Sequence, residues 1–168
     1  MRVSKTLAFL LTALAMMLPA ARAQSPRSTA DSVRGHFISL NNRILEMAKD
    51  FPEDKYGFRL KPEMRSFGEV IVHIASGNAY AAKAGRGEKV NWDELDPKNY
   101  KTKVEIVALM EKTIADANAT LKGLPDTSFS KTIEPWIGVT EHSAEHYGLL
   151  VGYYRANGIV PPASRPQK

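Results

Sequence analysis

Two histidines stand four residues apart near the end of the chain, in the stretch His142-Ser-Ala-Glu-His146. In a helix this spacing places both imidazoles on one face, about 6 Å apart along the axis, where they can bind one metal ion. Imidazole suits zinc, nickel, copper and ferrous iron. The stretch is not the His-Glu-x-x-His motif of metalloproteases, because Glu145 directly precedes the second histidine. The pair predicts a metal site, and chance spacing is the alternative.

A third histidine, His73, lies in the apolar run 70–75 and is expected to be at least partly buried. A buried imidazole needs a polar partner, so His73 is either a neutral core histidine bonded to a carbonyl or hydroxyl, or a third ligand from a facing helix. Three histidine ligands leave a coordination position for water or substrate, as in catalytic zinc sites. The remaining histidine, His36, lies off the apolar stripe of its segment and is interpreted as a boundary residue.

The elements that must position these histidines are four segments with helical periodicity. They cover approximately residues 30–50, 66–85, 102–122 and 135–157. Ser66 with Glu69, and Thr102 with Glu105, have the spacing of a capping box, and Pro135 suits a first helical turn. No stretch alternates like a strand, so the pattern predicts an all-α four-helix bundle. The connectors at 51–65 and 86–101 are long: at least one is expected to cross over, and the other to form a rim over one end.

The N-terminus has the pattern of a secretory signal peptide. Arg2 and Lys5 precede an apolar stretch, Leu7–Leu18, and Ala21–Ala23 provides a small-x-small cleavage site. Twelve apolar residues are too few for a bilayer span, which needs about 20, and an uncleaved anchor is the alternative. We therefore expect a cleaved signal peptide at 1–23, a flexible leader at 24–29, one domain at 30–164 and a tail at 165–168. The expected location is periplasmic or secreted.

Charge and cysteine content exclude several classes of function. The 168 residues include 23 Lys and Arg and 18 Asp and Glu, a net charge of +5. Residues 1–23 hold three of the basic side chains and no acidic one, so the mature chain has 20 and 18, or +2. Because these charges are dispersed, we expect no nucleic-acid partner and, after cleavage, no membrane partner. The absence of cysteine excludes thiolate metal sites, disulfides and a cysteine nucleophile.

Three stretches together resemble the DinB superfamily. They are Arg65–Asn78 (RSFGEVIVHIASGN), Glu141–Ser164 (EHSAEHYGLLVGYYRANGIVPPAS) and the connector Phe51–Phe67 (FPEDKYGFRLKPEMRSF). The resemblance extends over approximately residues 30–164. It implies a four-helix bundle with a crossover connection and a homodimer.

The same resemblance implies a divalent metal, with zinc and nickel expected first and iron and manganese as alternatives. By position His73, His142 and His146 match the ligands. Similar proteins include thiol-dependent S-transferases and a thiol-dependent maleylpyruvate isomerase. This chain has Leu149 where similar proteins often have Gln. Low-molecular-weight thiols are mostly cytoplasmic, which conflicts with an export signal.

Two further residues are candidates for the site. Glu69, one turn before His73, is a candidate outer partner for that ring, with the capping box as its alternative. Arg155, in the last turn of the fourth segment, is a candidate for binding an anionic substrate, although the helix dipole alone favours a cation there.

Two hypotheses for the function remain open. One is an exported metal-dependent transferase, isomerase or hydrolase that acts on a small molecule. The other is a non-catalytic helical binding or dimerisation module with a structural or vestigial metal site. An open coordination position would favour the enzyme, and a saturated metal would favour the module.

Overall fold

A computed structural model describes residues 28–166 of the chain. Within this range the chain forms four long helices and no strand, which confirms the predicted all-α class. The helices are α1 (Thr29–Asp50), α2 (Phe67–Gly85), α3 (Lys103–Gly123) and α4 (Asp126–Ala156). None of the helices between residues 28 and 166 combines the length and apolarity that crossing a bilayer requires. The expected signal peptide at 1–23 lies outside the described residues.

The two predicted capping boxes are confirmed. At the start of α2 the Ser66 Oγ accepts a hydrogen bond from the Glu69 amide, and the Glu69 carboxylate accepts one from the Ser66 amide, at 3.3 and 2.7 Å. Thr102 and Glu105 form the same reciprocal pair at the start of α3. Each box satisfies amides that have no partner within the helix, so the first turns of α2 and α3 are fixed.

The start of α4 differs from the prediction. The helix begins at Asp126 and bends at Thr132, where the backbone leaves the helical region (φ −125°, ψ 17°). Pro135 therefore lies in the first turn after the bend rather than at the beginning of the helix. Because proline has no amide hydrogen, it is tolerated best at such a place. The preceding turn is held against the start of α1, where the Ala30 amide donates to Asp126 Oδ1 at 3.3 Å.

The helices pack in the spatial order α1, α3, α2, α4, and the ring closes from α4 back to α1. Both α1 and α2 contact α3 and α4 extensively, whereas α1 and α2 lie diagonally and barely touch. The connector between α1 and α2 therefore crosses the bundle, as the crossover prediction requires. Its two ends meet in a stacked aromatic pair, with the rings of Phe51 and Phe67 3.9 Å apart. This pair positions the beginning of α2, the helix that presents His73.

The two ends of the described chain bind opposite ends of α1. Ser28, assigned to the flexible leader, caps α1 because its Oγ accepts a hydrogen bond from the Asp31 amide at 3.1 Å. Arg165, assigned to the tail, donates two hydrogen bonds to the Asp50 carboxylate at 2.8 and 2.6 Å. The Tyr154 hydroxyl also donates to Asp50, at 3.1 Å. The Arg165 guanidinium holds the pKa of Asp50 below its usual value.

The ion pair between Asp50 and Arg165 predicts that the free energy of unfolding decreases at acidic pH. A carboxyl with a lowered pKa stabilises the fold above its unfolded pKa, about 3.9, and the contribution is lost as the pH falls through the folded value. We expect Asp50→Asn to reduce the free energy of unfolding by about 1 kcal/mol at pH 6, because the pair is partly exposed. The difference from wild type should close below about pH 4. Urea titrations at several pH values measure it, and a constant difference down to pH 3 would contradict the assignment.

Candidate metal centre

The structure brings three of the four histidines together. His73 projects from the middle of α2, and His142 and His146 project from α4, the helix that packs against it. One ring nitrogen from each lies within 4.8 Å of the other two. The ring centres are 4.5 to 4.8 Å apart, and the Nε2 atoms of His73 and His142 are 2.8 Å apart. The histidine pair identified by its spacing and the histidine identified by its apolar surroundings thus lie together in the structure.

This arrangement fits a divalent ion. Two imidazole nitrogens bound to zinc at 2.0–2.1 Å in tetrahedral geometry are about 3.3 Å apart. The two Nε2 atoms at 2.8 Å need to separate by only about half an ångström to reach that spacing. His146 lies one helical turn from His142, and its ring nitrogen is within 4.8 Å of those of the other two histidines. The donor set is three neutral nitrogens, which suits zinc and nickel.

The outer partner of His73 is Glu94, which the sequence did not single out. The Nδ1 atom of His73 lies 2.9 Å from Glu94 Oε1. An Nδ1–H that donates to this carboxylate leaves the lone pair of Nε2 directed at the other two rings, as in carboxylate–histidine–metal triads. The same carboxylate accepts hydrogen bonds from Arg65 Nη2 at 3.0 and 3.2 Å. Arg65 and Glu94 therefore hold the His73 ring in one orientation, with its Nδ1 atom directed at the carboxylate.

Glu69, the predicted outer partner, has a different role. One carboxylate oxygen accepts from the Ser66 amide and the other from Arg59 Nη2, each at 2.7 Å. The capping-box alternative is thus the one observed, because the side chain folds back to the start of α2 instead of reaching forward one turn. Burial would raise the pKa of Glu69, but the Ser66 amide and Arg59 lower it overall.

Both histidines of α4 are held in the neutral form that a metal needs. Burial, followed by the neighbouring rings of His146 and His73, lowers the pKa of His142 to about 4. Burial, followed by His73, also lowers the pKa of His146. At neutral pH the His142 ring is therefore uncharged and does not repel a cation. The Nδ1 atoms of both rings are buried and have no hydrogen-bond partner among residues 28–166.

Trp92, in the connector between α2 and α3, covers one side of the centre. Its ring centre lies 4.9 Å from that of His142 and 6.2 Å from that of His73. The Leu95 amide donates to Ser76 Oγ at 3.0 Å and holds this connector against α2. The connector therefore lies along the middle of α2, whereas a rim over one end of the bundle was expected, and it was not expected to supply Trp92 and Glu94. The only sequence feature that could have pointed to these two residues is a tryptophan close to a carboxylate in a polar stretch that has no periodicity.

Gly77 makes room for Trp92. A Cβ atom at this position would lie 2.7 Å from Trp92 Cη2 and 3.3 Å from His142 Nδ1. We expect Gly77→Ala to displace the half-exposed Trp92 ring outward, with a red-shifted tryptophan emission and a stability loss of about 1 kcal/mol.

A matched control for this substitution is Gly138→Ala. A Cβ at Gly138, on the exposed face of α4, meets nothing within 4 Å. It should leave the emission unchanged and raise stability by about 0.5–1 kcal/mol, because alanine loses less backbone entropy than glycine in a helix. Equal emission spectra for the two variants would show that Trp92 does not lie against α2.

A cleft of about 420 Å³ opens beside His146. The side chains around it include Glu63, Met64, Arg65, Leu149 and Tyr153. His146 lines this cleft and Trp92 does not, so the cleft is a candidate approach to the histidines from solvent. Leu149, one turn after His146, makes part of its wall apolar.

The other two sequence candidates lie elsewhere. Arg155 is nine residues beyond His146, which is two and a half turns of α4, so it lies on the opposite face of the helix. It is exposed and does not line the cleft, so the anionic-substrate role predicted for it finds no support in this geometry. His36 is exposed on α1 and borders a groove with Trp136, away from the other histidines.

Comparison with known protein families agrees with this geometry. The model of the DinB superfamily matches residues 36–153, a range that includes His73, His142 and His146. A comparison with curated proteins finds no match.

Proposed function

Because the chain belongs to the DinB superfamily, we propose that it binds one divalent metal ion through His73, His142 and His146 and is a metal-dependent enzyme acting on a small molecule. The observation that supports this most is the convergence of three imidazole nitrogens within 4.8 Å. Zinc and nickel fit the donor set best, with iron and manganese as the other candidates. The reaction class is transfer, isomerisation or hydrolysis.

The residues around the centre have separable roles in this proposal. Glu94 and Arg65 keep the His73 ring oriented with its Nε2 lone pair free. Trp92 excludes water from one side. The cleft beside His146 admits substrate from the other side. When bound, the ion would supply Lewis-acid chemistry to a water, thiol or carbonyl group.

Cobalt substitution tests whether the site is open. The tag-free chain loaded with Co²⁺ should show visible absorption bands, and an added small anion such as azide should change them because a coordination position is exchangeable. Failure to take up Co²⁺, Zn²⁺ or Ni²⁺ would overturn the metal site. Uptake with a spectrum that azide leaves unchanged would favour a non-catalytic module with a structural metal.

Glu94→Gln tests the outer partner. Loss of the carboxylate weakens the constraint on the His73 ring, so we expect metal affinity to fall by about tenfold or more. Competition against a chromophoric chelator measures this change. Glu69→Gln is the matched control: it should leave metal affinity unchanged and cost the fold less than about 1 kcal/mol, because a Gln side chain still accepts from the Ser66 amide and only the partly exposed ion pair with Arg59 is lost. If the two variants lowered metal affinity equally, the assignment of Glu94 would be wrong.

We further propose that the protein is exported and forms a homodimer. Export is supported by the charged, apolar and small-residue pattern of residues 1–23, and dimerisation by the resemblance to the family. Expression of the full chain followed by N-terminal sequencing should give Gln24 as the first residue of an exported product. Sedimentation equilibrium should give twice the mass of the mature chain. An unprocessed chain would contradict the proposal of export. A monomer would contradict the proposal of a homodimer.

A further inference from the structure

The cleft beside His146 combines an apolar wall with one cationic side chain. Met64 and Leu149 present carbon surface on its walls, the fully buried Tyr153 borders it, and Arg65 also lines it. Its volume of about 420 Å³ lies in the range of small-molecule sites. Such a site favours a ligand with a compact apolar body, which is removed from water against these side chains.

Arg65 has hydrogen-bonding capacity left for a ligand. A guanidinium carries five N–H donors, and within residues 28–166 the Arg65 side chain bonds only through Nη2, to the Glu94 carboxylate. Its side chain is 47% exposed. The Nε–H and Nη1–H donors are not used in these bonds and can bind an anionic group.

Two acidic side chains oppose this preference. Glu94 is already shared between Arg65 and His73, so its charge is largely engaged. Glu63 also lines the cleft but is exposed, which weakens its effect through solvent screening. With a divalent ion on the three histidines, the formal charge of the cleft is positive.

We infer that the substrate of this centre is a small amphiphilic carboxylate, with its anionic group on Arg65 and its apolar body against Met64 and Leu149. This inference rests on the proposed metal-dependent function, because it places the substrate in the cleft that leads to His146. It names the class of substrate, which the histidines alone do not specify.

A pair of probes of equal shape tests it. Binding of 3-phenylpropanoate and 3-phenylpropanamide to the zinc-loaded chain is measured by calorimetry. We expect the carboxylate to bind about tenfold more tightly, and Arg65→Gln to remove that preference. Arg65→Lys should keep part of it. Glu63→Gln should strengthen carboxylate binding, since it removes a repelling charge.

Arg59→Gln is the matched control. Arg59 lies on the same connector and pairs with Glu69 as Arg65 pairs with Glu94, but it does not line the cleft. Its variant should keep the full preference for the carboxylate. Zinc content is measured in every variant, at saturating metal, so that a displaced Glu94 is not mistaken for loss of ligand binding.

The outcomes separate this inference from the metal site. If Arg65→Gln retains zinc and still prefers the carboxylate, the anion binds elsewhere and the inference is overturned. Equal binding of the two probes to wild type also overturns it. If wild type holds no metal, the proposed function fails, and the same probes on the metal-free chain then test the cleft alone: a preference that depends on Arg65 supports a carboxylate site there, and no such preference rejects it.

Discussion

His142→Ala abolishes tight metal binding, with an expected loss of affinity of at least about 100-fold, which exceeds the effect of losing an outer partner. The removed ring is the one whose Nε2 lies 2.8 Å from that of His73. Without it, the two remaining nitrogens come from different helices and hold the ion at only two positions. His73→Ala and His146→Ala should behave in the same way. Competition titration against a chelator of known affinity measures the loss.

His36→Ala is the control for these variants. His36 is exposed on α1, so its removal should leave both metal affinity and the far-ultraviolet circular dichroism unchanged. The dichroism of His142→Ala should also remain helical, because the ring is only partly buried. Unchanged metal affinity in His142→Ala would show that the ion binds at another place.

Trp136→Ala should destabilise the fold by about 3–5 kcal/mol, the range for deleting a large buried aromatic side chain. The Trp136 ring is fully buried and packs edge-on against Phe37, with ring centres 5.7 Å apart. It also fills the space above Gly85, where a Cβ would lie 2.5 Å from the ring. The ring thus joins α1, α2 and α4, so its loss leaves a cavity that three helices must collapse to fill.

Ile137→Ala is the matched control, one residue further along α4. Ile137 is 47% exposed, and its truncation should cost less than about 1 kcal/mol. Urea unfolding gives both values. A loss below about 1 kcal/mol for Trp136→Ala would contradict the packing described here.

The sequence predicts the helices best where side chains mark their ends. Ser66 and Thr102 both act as the predicted caps, because a capping box is a local arrangement of four consecutive residues. The beginning of α4 was misplaced because Pro135 can follow a bend as well as a terminus. The bend at Thr132 depends on how the preceding turn packs against α1, which local signals do not reveal.

The candidate metal site was also predicted in part. Two of its histidines follow from helical spacing and the third from its apolar surroundings, and family resemblance selected that set. Glu94 and Trp92 were missed because they come from a connector without periodicity, whose path is set by contacts such as that of Leu95 with Ser76. Glu69 was proposed in place of Glu94 because sequence spacing identifies a residue one helical turn from His73. It does not indicate in which direction the carboxylate of that residue points.

X-ray absorption of the zinc-loaded, tag-free chain tests the three-histidine centre most directly. We predict one zinc ion per chain with three imidazole nitrogens at about 2.0–2.1 Å, together with at least one light exchangeable ligand. A chain that retains no zinc after gel filtration, or a zinc spectrum with fewer than three imidazoles, would contradict the account.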